Sequence, residues 1–503
     1  MTLNVLFLQN TLRMDFIKRI MVLLSLATGV VSLRAEIFSL DSVLDVLVMQ
    51  TTVVRTELLK LQNEMLEFEN YSKGFLPSIH LNISPLNFNR SLKLLQNAND
   101  GSYSYIEDYS NNSNAEMSIS QRIGITGGTF TASSGLNYLR EFSKDRNSFN
   151  TMIFNVGYSQ PLLGGGKFYK LEKGIRHIQK DLAIKSYCSA VSSAQCQALA
   201  LYMGAFLNKL EQDLSFKNTL ISDTLLHIAK VKLQQGYITD YEYNQIELQT
   251  LNTRYSLEKA QQSYVESLKK LASYLNLSTE IEITYPDNKA LPLIISEIEV
   301  AENARRNNPQ ALTIRKQELQ AIYTLYQAKM ATQFNGILSL NYGTNQYAET
   351  FVDAYTRPNS SQAVSISFQI PIYQWGINKN KRKIAQNQYD ATMMEIQKSQ
   401  LDFENNIKEM VTSYNYAANL RNIAERTYQL VQERYRLAVK KFELGKVSVY
   451  ELTLADKEQY SAMKQYYTAI NDLYSGYYAI RHITLYDYIE KQDLKRVFMD
   501  NDN

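Results

Sequence analysis

One pattern limits this chain more than any other: it is written twice. Tyr158-Ser159-Gln160-Pro161-Leu162-Leu163-Gly164-Gly165-Gly166 returns as Phe368-Gln369-Ile370-Pro371-Ile372-Tyr373-Gln374-Trp375-Gly376, so Pro161 and Pro371 lie 210 residues apart. Leu233-Gln234-Gln235-Gly236-Tyr237-Ile238-Thr239-Asp240-Tyr241-Glu242 returns as Phe442-Glu443-Leu444-Gly445-Lys446-Val447-Ser448-Val449-Tyr450-Glu451, with Gly236 and Gly445 separated by 209. Two motifs that keep nearly one offset define a duplicated architecture, and its period is far longer than a solenoid repeat.

Each copy contains a long proline-free stretch, after Pro161 as far as Pro286 and after Pro371 to the end, rich in residues that favour helix. Ile423, Leu430, Leu437 and Leu444 are spaced by seven, and Leu214, Ile221, Ile228 and Gln235 answer them. A sustained heptad makes a helix wrap on a partner. Gly166 to Gly236 is 70 residues, which at ~1.5 Å per residue gives a helix of about 100 Å. Gly236 and Gly445 suit left-handed C-caps. Thr239 with Glu242, and Ser448 with Glu451, have the capping-box spacing that restarts a helix. Each copy is therefore expected to be a helical hairpin, over 163–276 and 374–485. An equatorial segment spans 277–297, and a helix over 298–335 runs past Asn308-Pro309. An N-terminal helix falls within 36–75, a tail follows at 486–503, and the two ends are expected to meet at one level.

The remaining segments, 76–162 and 336–373, read as strands. Ile79 to Ser84, Ile153 to Tyr158, Ile337 to Tyr342 and Val364 to Phe368 alternate apolar with small or polar residues. The Asn- and Ser-rich stretches 87–115 and 346–361 read as long loops. Met117 to Gln121, Gly127-Gly128 and Thr129 to Leu139 suggest an additional hairpin in the first copy, whose membership of the main sheet is open.

Lys18 and Arg19 precede the apolar run Ile20 to Ala27, and small residues follow to Ala35, the layout of an export signal over 1–35 with Met14 as a candidate initiator. The run is too short for a transmembrane helix. A net charge of +3 argues against nucleic acid as main partner. Cys188 and Cys196 are too far apart on a helix for a disulfide and read as buried small residues. His80, His177, His227 and His482 are scattered without metal-ligand spacing. Gly164-Gly165-Gly166-Lys167 is similar to a phosphate loop, but Pro161 and Phe168 stand where that motif needs glycine and Ser/Thr. Neither an enzyme nor a bound cofactor is expected.

An exported chain with few strands and very long helices poses a physical problem. A few strands cannot close a barrel, and an open edge in lipid leaves backbone groups unsatisfied. Copies of the chain must complete the sheet. The expected fold class is therefore mainly α with a β-barrel part: duplicated long coiled-coil hairpins, plus strands contributed to a shared barrel. The chain here resembles the TolC-type outer-membrane efflux proteins. The resemblance is carried by Ser39-Leu40-Asp41-Ser42-Val43-Leu44, by Lys73-Gly74-Phe75-Leu76-Pro77-Ser78-Ile79, by both strand-to-helix junctions, by both hairpin tips, and by Asn308-Pro309-Gln310 through Ala328-Lys329. It covers nearly all of the mature chain. It implies a homotrimer with a barrel in the outer membrane and a helical tunnel in the periplasm. It also implies docking to a periplasmic adaptor and to an inner-membrane transporter of RND, ABC or MFS type. The long 87–142 region and the missing lipid-anchor cysteine depart from the family pattern. A non-conducting coiled-coil scaffold or adhesin is the alternative from another class.

Three groups of residues carry role expectations. By the resemblance, Leu233, Gly236, Tyr237, Ile238, Thr239, Phe442, Gly445, Val447 and Ser448 form adaptor-docking tips, although turn chemistry alone also accounts for the glycines and hydroxyls. Asp240, Glu242, Glu451 and Asp456 lie near the tips and, repeated threefold, form carboxylate rings that favour cations; capping is the favoured account of the two glutamates, and Asp240, answered by Val449 in the second copy, is the better gate candidate. Lys167, Lys170 and Lys173 answer Lys379, Lys381, Arg382 and Lys383 at matching helix starts. Positive charge there opposes the helix dipole, so outer-membrane lipid phosphates are the expected counter-charge, with a solvated face as the other reading.

Overall fold

The computed structural model describes residues 36–96, 101–278, 281–284, 291–292, 294–444, 446–447 and 449–499. The export-signal stretch 1–35, Gly445 and Ser448 lie outside them. The chain divides into two units, one of residues up to Leu61, Leu182–Ala311 and Gln400 onward, the other of Gln62–Asp181 and Leu312–Ser399.

The elements follow in chain order. Strand β1 (Glu36–Phe38) leads into a π-helical turn, Ser42–Val46, and a 3-10 turn, Leu47–Gln50, before helix α1 (Thr52–Lys73). The single helix read within 36–75 is thus broken. Thr51 adopts an extended conformation, and its hydroxyl turns back 2.7 Å to the Val48 carbonyl. Strands β2 (Ser78–Ser84), β3 (Phe88–Gln96), β4 (Tyr103–Ile123), β5 (Gly128–Glu141) and β6 (Arg146–Pro161) come next. Helices α2 (Gly165–Gln234) and α3 (Asp240–Tyr274) form the first hairpin. Strand β7 (Ile281–Ile283), helices α4 (Glu297–Asn307) and α5 (Pro309–Ala331), strand β8 (Asn335–Ala348), the short helix α6 (Asp353–Thr356) and strand β9 (Asn359–Gln369) follow. Helices α7 (Ile377–Glu443) and α8 (Val449–Thr484) form the second hairpin. A small ribbon, β10 (Tyr486–Asp487) and β11 (Gln492–Asp493), and helix α9 (Leu494–Met499) end the chain.

Three readings of the sequence differ from the structure. The stretch 87–115, read as a loop, is mostly strand: β3 and the first half of β4 pair in register from Phe88↔Asn111 to Gln96↔Tyr103. The second stretch, 346–361, also contains strand ends and α6 rather than loop alone. The helix expected to run past Asn308-Pro309 stops at Asn308, which is extended at φ −65°, ψ 135°. The proline ring disfavours helical backbone in the residue before it. Asn308 then starts α5, its side chain accepting from Gln310 N at 2.8 Å and donating to the Ile483 carbonyl at 2.7 Å.

In the first unit the core forms around the middle of α2. Between Tyr187 and Leu210 burial extends around the helix: Cys188, Val191, Ala194, Ala198, Leu199, Tyr202, Met203, Phe206 and Leu210 are all enclosed. A helix apolar on every side has to be wrapped by its neighbours. Gln195 donates to the Leu44 carbonyl, and Tyr274 of α3 donates to that of Ala194. The Tyr202 hydroxyl lies 3.2 and 2.8 Å from the carbonyls of Phe38 and Thr284, the adjoining ends of the parallel pair β1–β7. Arg481 of α8 reaches Gln195 at 2.6 Å. Both ends of the chain therefore converge on this level. The tail is held by Asp487, which accepts from Tyr477 and from the backbone of Ile489 and Glu490, and by Asp493, which pairs with Arg306 at 2.8 Å.

This attachment responds to acid. Burial alone would raise the Asp487 carboxyl, but the amides of Glu490 and Ile489, the Arg481 charge and the Tyr477 hydroxyl outweigh it and hold it below the usual range. Its contribution is complete above the unfolded carboxylate value of about 3.9 and disappears as pH falls through the lower folded value. Burial likewise lowers His482, so stability declines as pH drops below about 6.5, where the unfolded imidazole gains its proton. Tail amides are thus expected to exchange hydrogen progressively faster from pH 7 toward pH 4, when compared with α2 amides in the same sample and corrected for intrinsic rates.

Candidate functional site

The second unit contains one continuous sheet in the order β2-β4-β5-β6-β8-β9, with β3 following β2 along the same edge of β4, and each pairing is antiparallel. The open question of the extra hairpin is resolved: β4 and β5 lie inside the sheet, so the first copy supplies four strand positions and the second two. Because side chains alternate across a strand, the register sorts the sheet into two unlike faces. One face carries Ile79, Leu81 and Ile83 beside Ile119, Met117 and Ala115, then Phe130 beside Tyr158, Leu340 beside Val364 and Leu338 beside Ile366. The other carries Ser118, Ser120, Thr131, Ser133, Asn155, Ser159, Ser339, Asn341, Ser365 and Ser367. Contacts fix the assignment. A Cβ on Gly157 would meet Thr131 Oγ1 at 2.6 Å and Asn341 Oδ1 at 2.7 Å, both on the polar face, whereas Phe154 packs on Tyr342 across the apolar one.

Aromatic clusters mark both ends of the sheet. At the hairpin turns Phe88, Tyr109 and Phe142 pack together, as do Tyr138, Phe149, Phe351 and Tyr355. At the helix junctions Tyr71, Phe75 and Tyr169 form one group and Phe168, Tyr323 and Tyr326 another. An apolar band between two aromatic girdles is how a sheet meets a bilayer and its two interfaces. Among the described residues no helix is long and apolar enough to cross a membrane.

The edges matter as much as the faces. Among the described residues, strand β9 pairs only with β8, and β2 only with β4. Ile79, Leu81, Val364 and Ile366 are more than half exposed.

The tips are built by backbone chemistry. Gly236 is left-handed at φ +75°, its N–H donating to the Leu233 carbonyl and that of Tyr237 to Lys232 at 2.9 Å. At the second tip Lys446 N donates to the Lys441 carbonyl, also at 2.9 Å, the same six-residue closure displaced by the duplication offset. Thr239 and Glu242 form the complete capping box: Thr239 Oγ1 accepts from Glu242 N at 3.2 Å, and Glu242 Oε2 accepts from Thr239 N at 2.8 Å. These bonds, the Thr239 amide first, lower the Glu242 carboxyl below its ordinary value. Thr239→Ala is expected to weaken the first turn of α3 by about 1 kcal/mol, read as faster hydrogen exchange at Glu242 and Tyr243 with the middle of α3 unchanged.

The remaining candidates separate by environment. Asp240 is exposed at the first position of α3, and Glu451 is exposed in the first turn of α8. Asp456 is half-buried and engaged by Tyr435, whose hydroxyl is raised first by burial and then by that carboxylate. Tyr237 is exposed, Leu233, Ile238 and Val447 are half-buried, and Phe442 occupies the last turn of α7. At the helix starts, Arg382 is occupied internally, donating to Thr332 Oγ1 at 2.7 Å and to the Thr332 carbonyl at 3.0 Å, just past the end of α5. The α5 dipole therefore supplies part of the negative counterpart the sequence called for. Lys167 and Lys173 stand 4.3 and 5.9 Å from the rings of Tyr326 and Tyr169. Lys170, Lys379, Lys381 and Lys383 are exposed, the last three close in sequence to the exposed Tyr373 and Trp375.

Sequence reasoning missed a polar groove of about 680 Å³ lined by Gln429, Gln432, Tyr435, Arg436 and Lys440 of α7 and Gln459 of α8. Glutamine and arginine on a helix surface carry no pattern of their own, so nothing marked it. Nor did the sequence say which way the heptad faced. Tyr416, Ile423, Leu430 and Leu437 are 64%, 63%, 50% and 49% exposed, while Ile407, Val411, Tyr414 and Ala418 turn inward. Among the described residues nothing covers the heptad row of α7. On α3, Tyr241, Leu248 and Tyr255 form a second uncovered row with the same spacing, at 77%, 60% and 72%.

Comparison with known proteins agrees with this geometry. Residues 300–484 match the family model described as outer membrane efflux protein. Among curated proteins none matches the chain in sequence. The fold is similar to that of the CmeC outer membrane channel of Campylobacter jejuni, at 14% identity and a TM-score of 0.62, over 88% of this chain and 85% of that one. It is similar to the outer-membrane channel OprN at 14% identity and 0.62, over 90% and 93%. The outer membrane protein VceC of Vibrio cholerae matches at 10% identity and 0.61, over 88% and 95%. The pattern of the outer membrane efflux protein family thus lies over residues 300–484, and the fold along most of the chain is similar to that of solved outer membrane channels.

Proposed function

We propose that the protein is the exit channel of a tripartite efflux or export system, a passive trimeric conduit from periplasm to exterior. The observation that carries this is the sheet: one apolar face, one polar face and an edge on each side without a neighbour. In lipid each unpaired backbone group costs several kcal/mol, so the edges require strands from further copies, and closure encloses the polar face. The uncovered heptad rows of α7 and α3 support the same conclusion for the helices. They are different surfaces, and unlike surfaces in contact generate a ring rather than a symmetric dimer.

The tips are the surface offered to a periplasmic adaptor, which in turn couples the conduit to an inner-membrane transporter. Leu233, Gly236, Tyr237, Ile238, Thr239 and Val447 are the described residues assigned to that role; Phe442, Gly445 and Ser448 are assigned to it from the sequence. Exchanging both tips for those of a family member that uses another adaptor is expected to transfer adaptor choice in a pull-down. Retained choice counts against docking there. Asp240 is the leading gate residue, because Glu242 is bound to its cap and Asp456 to Tyr435; Glu451 stands second. Lys170, Lys379, Lys381 and Lys383, with Trp375 and Tyr373, suit the headgroup layer of the membrane.

Single-channel recording in planar bilayers tests the reading. Discrete cation-selective openings are expected, and Asp240→Asn should move the reversal potential in a salt gradient toward zero. Protein that inserts as a trimer yet passes no current under any applied voltage would favour a scaffold or adhesin.

A further inference from the structure

The duplication, taken alone, gives two strands per copy and four per chain. The structure departs from that plan. We propose that each chain contributes six strands to the wall, so that three chains close an eighteen-stranded aperture, with β9 of one chain pairing on β2 of the next. This rests on the trimeric-channel reading above and specifies its bore.

Four observations carry the inference. The added strands cross the sheet at the same level as the others. Strand β4 pairs with β2 from Ser78↔Ser120 to Ser84↔Asn114, and β5 pairs with β6 from Thr129↔Ser159 onward, level with Ser159↔Ser339 between β6 and β8. Their faces continue the sheet's pattern, with Ile119 and Ala132 among the apolar rows and Ser118 and Thr131 among the polar ones. The turn between them is seated at the base of the wall. A Cβ on Gly165 would fall 2.3 Å from the Thr126 carbonyl oxygen, one on Gly166 2.5 Å from that of Ile125, and one on Gly124 2.4 Å from the Tyr169 ring. Only glycines let α2 begin so close to this turn, so the hairpin is a full member of the wall and not an external flap. Finally, direction permits closure. With six positions each antiparallel to the last, β9 and β2 run opposite ways, and the edge of one chain meets that of the next in the pairing used throughout the sheet. An odd number would force one parallel seam per chain.

Barrel diameter grows roughly in proportion to strand number, so eighteen strands give an aperture about 1.5 times as wide as twelve. From the Asn114↔Asn137 pair to the Arg122↔Thr129 pair, the polar-face residues of the added strands are Ser, Thr, Asn and Gly apart from Glu116 and Arg122, which leaves most of that width open. The sheet wall is then not the size filter of this conduit.

The test is a strand count by electron cryo-microscopy of the full-length protein in lipid nanodiscs, in a section at the level of Leu340. Eighteen strands are expected. Cysteine labelling adds a solution measurement: S118C should react with a water-soluble maleimide, while I119C reacts only with a lipid-soluble one. A conducting trimer whose wall has twelve strands, with both cysteines labelled alike by the water-soluble reagent, overturns this inference and leaves the channel reading intact. A protein with no shared wall overturns both.

Discussion

Replacing Arg481 by methionine should destabilise the first unit by about 3–5 kcal/mol, because it leaves the Asp487 carboxylate buried without its cation. The guanidinium is 7% exposed and lies 3.0 Å from Asp487, a separation that makes an ion pair although the approach of Nε is too bent for a hydrogen bond. Its Nη1 bonds Gln195 at 2.6 Å, and its plane lies near the rings of Tyr478 and Phe498. One side chain thus joins α8, the tail and the centre of α2, which itself holds the N-terminal segment through Gln195 and Leu44. The check is the chemical-unfolding midpoint together with trypsin sensitivity at Lys491 and Lys495. Arg481→Met combined with Asp487→Asn should recover a large part of the loss, since the isolated charge is gone. A double variant as unstable as the sum of the singles would show that packing, not charge, dominates.

Leu340→Arg is expected to cost about 2–4 kcal/mol of folding in a bilayer, the range for a cation placed on the lipid face near its midplane. Leu340 lies on the apolar face beside Tyr158 and Val364. Ser339→Arg, one residue away on the polar face, should fold in vesicles with nearly the parent midpoint. The pair separates position from chemistry, because both variants add the same side chain to the same strand. Equal tolerance of the two substitutions would mean that the faces have been assigned wrongly or that the sheet is not in lipid.

Much of this organisation can be read without coordinates, and the failures have physical causes. The duplicated tips could be recognised because Gly236 and the Thr239–Glu242 pair answer local backbone demands that do not depend on neighbours. Ile79-His80-Leu81 announced a strand because its two faces differ in polarity. In Ser110-Asn111-Asn112-Ser113-Asn114 both faces are polar, so the alternation that identifies β4 is silent there and the segment resembled a loop. From sequence a helix is expected to run past Asn308-Pro309; the extended backbone that proline imposes on Asn308 is held by its bond to Ile483, a contact 175 residues away in sequence. The heptad of α7 was visible, but only the packing of Val411 and Tyr414 reveals that Ile423 and Leu430 face away from their own chain. The polar groove beside Tyr435 and the internal use of Arg382 depend on tertiary neighbours and leave no trace in composition.

The central claim is that this polypeptide is one sector of a wall that identical copies complete. Its most direct measurement is the native mass of the full-length protein extracted from outer membranes in mild detergent. A species of three chains, stable on dilution and without bound partner proteins, is expected; a species of one chain that keeps its sheet would contradict it.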